Sequence, residues 1–86
     1  MPSVILETDS GHDVLRAFLA DMPRTGEWRG SGDVQTLTRA DGTVIGLSIR
    51  GYRKWADNRL VLVDMITRAL QAHRDDVMSA VARLRF

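Results

Sequence analysis

The sequence contains no cysteine. No disulfide can brace the fold, and no thiolate can serve as nucleophile or metal ligand. Small secreted domains usually carry disulfides, so the absence points to the cytoplasm. Lysine is almost missing too: Lys54 stands alone beside eleven arginines. Arginine forks make planar, bidentate contacts and suit interfaces. No apolar run approaches the roughly 18–20 residues that span a bilayer. No basic segment followed by an apolar run opens the chain, so no signal peptide and no membrane partner are expected. Neither sign of charge dominates. A formal net charge of +1 selects neither nucleic acid nor membrane, and it leaves self-association open.

What is present is globular composition. The 86 residues are 44% hydrophobic and 27% charged. That length allows one domain, residues 1–86, with a thin core that buries about 60% of the unfolded surface.

Val4, Ile5 and Leu6 form a short β-branched-rich run that reads as a strand. Ser10 is placed to cap a helix, with Asp13 as a weak capping-box partner. Val14, Leu15, Phe18, Leu19 and Met22 then make one apolar stripe, which predicts a helix of about three turns ended by Pro23. Residues 23–33 hold three glycines and a proline and read as a loop around Trp28. Asp41-Gly42 is a favoured centre for a two-residue hairpin turn. It predicts a β-hairpin, 34–39 paired with 43–50, in which Thr38 faces Ile45, Thr36 faces Leu47 and Val34 faces Ile49. These six would share a covered face, with Gln35, Ser48, Asp33, Arg39 and Arg50 on the other.

From Tyr52 to Phe86 there is neither glycine nor proline. Asp57 or Asn58 can cap a helix start. Val63, Ile66, Leu70, His73, Val77, Ala80 and Leu84 follow a 3-4-3-4 spacing, a heptad seam. One helix over about 57–84 would be roughly 40 Å long, more than so short a chain can cover, and would call for a second copy along the seam. The alternative is two helices with a break near residue 74, the second capped by Asp75 or Asp76. The fold class expected is α+β: a small antiparallel sheet, with helices on one face, in the order strand, helix, strand, strand, helix and a further helix after the break.

Chemistry is hard to find. No serine lies in a nucleophile elbow. His12 and His73 each have an acidic neighbour, but neither assembles three metal ligands. Gly30-Ser31-Gly32 precedes a strand instead of opening a helix, so it makes no phosphate cradle. No catalytic residue, metal or cofactor is assigned, and no enzyme activity is expected.

One segment has interaction character. Residues 50–59 bring Arg50, Tyr52, Arg53, Lys54, Trp55 and Arg59 together against a single acid, Asp57. Trp, Tyr and Arg are the residue types of protein hot spots. The same residues could neutralise phosphates and stack on bases. With Trp28 they form the candidate partner-binding set. Val63, Ile66, Leu70, His73, Val77 and Leu84 form the candidate self-association set for a homodimer. The expected strand-helix-strand-strand-helix order is loosely similar to that of type I KH domains, but Gly26 and Gly30, with three residues between them, do not make the GXXG loop, and no aromatic RRM-type strand motif is present. In size and style alone, the chain resembles bacterial and phage accessory proteins such as anti-CRISPR inhibitors. The expectation is a small non-catalytic protein-binding module, with nucleic-acid binding through 50–59 as the alternative.

Overall fold

The computed structural model describes residues 3–86. Its sheet is organised by the turn at Asp41-Gly42. The Gly42 amide donates to the Arg39 carbonyl at 2.9 Å, and the Arg39 amide donates to the Thr43 carbonyl at 2.8 Å. Gly42 sits at φ 89°, where glycine is unstrained. The Asp41 carboxylate accepts the Thr43 amide at 2.9 Å, and this bond holds its carboxyl below the usual range. The loop is therefore Ala40-Asp41-Gly42, one residue longer than an Asp-Gly turn would make it. A bulge restores the register. Thr38 pairs with Val44 and Leu37 with Gly46, leaving Ile45 extra. Beyond the bulge, Thr36 faces Leu47 and Val34 faces Ile49 as expected. Bulges re-aim side chains. Ile45 accordingly joins Phe18 and Leu37 on one side of the sheet, while Leu47 and Ile49 lie on the other.

The strands are β1 (Val4–Asp9), β2 (Val14–Leu19), β3 (Glu27–Arg29), β4 (Val34–Thr38) and β5 (Val44–Arg50). They form one five-stranded sheet in the order β1-β2-β5-β4-β3, antiparallel throughout. Two expectations are corrected. The helix expected from Ser10 to Met22 is instead the turn and second strand of a hairpin with β1. β2 lies inside the sheet and is buried on both faces through Val14, Leu15, Ala17 and Phe18. Such a run satisfies a helical stripe as easily as a two-faced strand. Ser10 is part of the turn, where the His12 amide donates to Asp9 Oδ1 at 3.3 Å. The loop expected over 23–33 contains β3.

Gly51, at φ 75°, swings the chain out of β5 into a single 3-10 turn, Tyr52–Trp55. Its amide donates to the Asp13 carbonyl at 2.7 Å, tying the β1–β2 turn to this crossover. Two helices follow, α1 (Arg59–Leu70) and α2 (Arg74–Ala82). Asn58 occupies the cap position of α1 without a side-chain cap bond. Gln71, at φ 50°, ends α1, and an extended His73 starts α2. Asp75 and Asp76 lie in the first turn of α2, where negative charge suits the helix dipole. The break therefore falls at 71–73.

Both helices cover the same sheet face. Leu62, Val63, Ile66 and Leu70 of α1, with Val77 and Val81 of α2, pack on Leu15, Ala17, Leu47 and Ile49. This corrects the seam reading. Val63, Ile66, Leu70 and Val77 are buried within one chain, Leu84 is half-buried against the same core, and His73 is exposed at the break. Within the chain, the 3-4 spacing places these residues against the sheet. Two layers give the molecule its flat dimensions, 36 × 29 × 18 Å. No described helix is long and apolar enough to cross a membrane.

Candidate functional site

No described helix covers the opposite face of the sheet, so its character is set by which side chains the register aligns there. Successive residues alternate between faces, and the pairings align three rows across the strands. The first row runs Ile5, Phe18, Gly46, Leu37, Trp28 across all five strands. The second runs Glu7, Arg16, Ser48, Gln35. The third runs Asp9, Val14, Arg50.

The first row is apolar and packs into a small second core. Phe18, Leu37 and Ile45 are buried together, with Leu19 and Met22 against them. Gly46 makes this possible. A Cβ there would stand 3.0 Å from Leu37 Cβ and 3.1 Å from Phe18 Cδ1, closer than packed carbons tolerate. The β2–β3 loop reaches back over the row. The Arg24 guanidinium lies 4.0 Å above the Phe18 ring and pairs with Glu7 at 2.9 Å. Trp28 meets Phe18 edge-on, at 6.2 Å between centroids. Trp28 is 43% exposed and Ile5 42%, so both ends of the row present apolar surface to solvent.

The other two rows are polar apart from Val14, which is buried. Arg16, Asp33, Gln35, Ser48 and Arg50, with Val14 and Gly32, line a depression of about 110 Å3. Among the described residues neither Arg16 nor Arg50 makes an ion pair. The nearest acids on β1 are engaged elsewhere: Glu7 with Arg24, and Asp9 with His12 Nδ1 at 2.8 Å. The His12 contact holds the Asp9 carboxyl below its usual range.

The segment 50–59 is dispersed. Arg50 is exposed on the open face. Tyr52 is 1% exposed, inside the helix-side core, with the Phe86 ring 5.4 Å away. Arg53 donates to the Ser10 carbonyl at 2.7 Å and lies 3.8 Å from Asp13. Lys54 is exposed, its Nζ 5.2 Å from the Trp55 ring centre, and Trp55 is half-buried against the core. Arg59 donates to the Val81 and Ala82 carbonyls at 3.0 and 3.2 Å, closing the end of α2, and stacks 4.6 Å above Phe86. Tyr52, Arg53 and Arg59 thus have structural partners. Trp28 and Arg50 share the open face, in separate rows.

Ile5, Arg16, Phe18, Gln35 and Ser48 complete this surface and were not singled out from the sequence. Gln35 and Ser48 were legible as outward residues of the hairpin. Arg16 was hidden by the helical reading of 14–22. Among the described residues no group of three His, Asp or Glu could hold a metal ion. Comparison with protein-family models, curated proteins and solved structures finds no match to this chain.

Proposed function

We propose that this protein is a small non-catalytic binding module of the cytoplasm whose partner protein docks on the open sheet face. The observation that carries the reading is the pairing of an apolar row, open at Ile5 and Trp28, with two arginines that have no ion-pair partner among the described residues. Trp and Arg are enriched at hot spots, where a central apolar contact is ringed by polar groups. Five strands spaced about 4.8 Å apart give a face of roughly 20 × 20 Å, or about 400 Å2. A standard interface takes about 800 Å2 from each partner. The footprint must then extend beyond the sheet, onto the glycine-rich turn at 30–33 and the β1 edge. An inhibitor or accessory factor of a larger bacterial or phage assembly is the form of binder that the chain's small size suits.

Photo-crosslinking tests this. A benzophenone amino acid at Gln35 should capture one protein in the cell of origin, and one at exposed Asp75 should not. Capture from position 75 alone would reverse the assignment of the face. Nucleic-acid binding through 50–59 has less support, because Arg53 and Arg59 are spent on main-chain carbonyls and Tyr52 is buried. Fluorescence anisotropy with labelled duplex DNA, single-stranded DNA and RNA decides that alternative: micromolar binding that collapses with salt would favour it.

A further inference from the structure

The polar end of the open face has the makings of a specific anion site. Arg16 faces Ser48, and Arg50 follows Ser48 by two residues on the same strand. Such diagonal neighbours stand about 7–8 Å apart, so two long side chains can close on one anion from either side. Like charges this near disfavour each other, and an anion between them removes the penalty. The Ser48 hydroxyl and Gln35 amide line the same depression and can donate to a bound oxygen.

We propose that this depression seats a single carboxylate, the side chain of an Asp or Glu on the partner protein; the proposal rests on the docking face described above. The surroundings select a lone carboxylate over a polyanion. Glu7 lies opposite Arg16 on the β1 side, Asp9 lies one strand beyond Arg50 across Val14, and Asp33 lines the depression itself. A nucleic-acid backbone laid across the arginines would meet carboxylates in both directions. One acidic side chain entering from above meets Asp33 alone, against two guanidinium groups. Arginine's planar fork matches a carboxylate in bidentate geometry.

The test is an NMR titration of the isotope-labelled protein with N-acetyl-glutamate amide, whose one charge is the side-chain carboxylate. The neutral glutamine analogue and a twelve-residue oligothymidylate serve as comparisons. The glutamate probe should bind saturably in the millimolar range, shifting the Nε–H signals of Arg16 and Arg50 and the amides of Gln35 and Ser48. The glutamine analogue should not. Arg16→Gln and Arg50→Gln should each weaken binding about two- to fivefold while keeping the folded spectrum. Three outcomes overturn the site: no saturable shift, an equal response to the glutamine analogue, or equal shifts at exposed Arg68 and Arg85. Tighter binding of the oligonucleotide at Arg16 and Arg50 would make it a phosphate site instead. Crosslinking separates this failure from that of the docking reading. If a benzophenone at exposed Ser31, outside the depression, captures the same protein when Arg16 and Arg50 are both Gln, the docking face stands and the carboxylate site falls.

Discussion

β2 contributes to both faces of the sheet, and the two sides differ in what covers them. Leu15 and Ala17 lie beneath two helices, in a core that also takes Leu47, Ile49 and Tyr52. Phe18, on the other side, lies beneath a loop, one guanidinium and the edge of one indole. The helical cover buries long apolar side chains completely. The loop cover leaves Trp28 and Ile5 half in water. Stability therefore resides mainly on the helix side. The open side holds a few apolar residues in place and spends the rest of its surface on groups available for contact.

That contrast can be broken from either side. The largest effect is expected on the helix side. Val77→Asp would bury an unpaired carboxylate at a position 0% exposed. It should destabilise by several kcal/mol, giving an unfolded chain in urea denaturation and circular dichroism. A folded monomer released from a dimer would instead restore the seam. Next is Gly46→Val, which forces a side chain between Phe18 and Leu37 and should lose about 1–3 kcal/mol. Adding Phe18→Leu should recover part of that loss if the crowding is local, and a double-mutant cycle in urea reads the coupling.

Smaller effects sharpen the division between structural and available arginines. Arg59→Ala removes the contacts that close α2 and the stack on Phe86, and should lose about 1–2 kcal/mol. For a chain of this size, that is a fall in Tm of roughly 4–15 °C. Arg50→Ala should leave Tm almost unchanged. The smallest effect is electrostatic. The hydrogen bond from Arg74 to Asp64, at 2.6 Å, holds the Asp64 carboxyl below its ordinary value of 3.8. Because the folded value is the lower one, the pair's stabilisation is fully present above the unfolded value. It fades as pH falls through the folded value. Arg74→Met should make the acid limb of a stability–pH curve shallower below about pH 4.

Much of this architecture could be read in advance, and the exceptions have physical causes. Asp41-Gly42 announced the hairpin, and the register held at Thr36 and Val34 because the longer turn and the bulge at Ile45 offset each other. The face taken by Ile45 was not legible, since the bulge is a tertiary adjustment. The break between α1 and α2 was legible only in its approximate place: Asp75 and Asp76, expected as caps, lie inside the first turn behind His73, and the αL residue that makes the break, Gln71, carries no glycine-like mark. β2 was misread because strands covered on both sides lose their alternation. The candidate site suffered most from that error. With β2 read as a helix, Arg16 could not be placed opposite Ser48, and the charge-rich segment 50–59 drew the attention that belonged to the sheet.

The pairing of β2 with β5 has a consequence for how the chain assembles. Every other strand pairing is a hairpin or a short return. This one joins residues roughly thirty positions apart, so the loop-closure entropy of the sheet falls on it. Loop-closure entropy favours the local hairpins on either side forming before these two leaves join, and the bond from Gly51 to Asp13 holds one end of the junction. Arg16 belongs to the first leaf, and Ser48, Arg50 and Gln35 to the second. The polar depression comes into being only when the leaves meet, and any anion it takes up reinforces the slowest-won contact in the molecule.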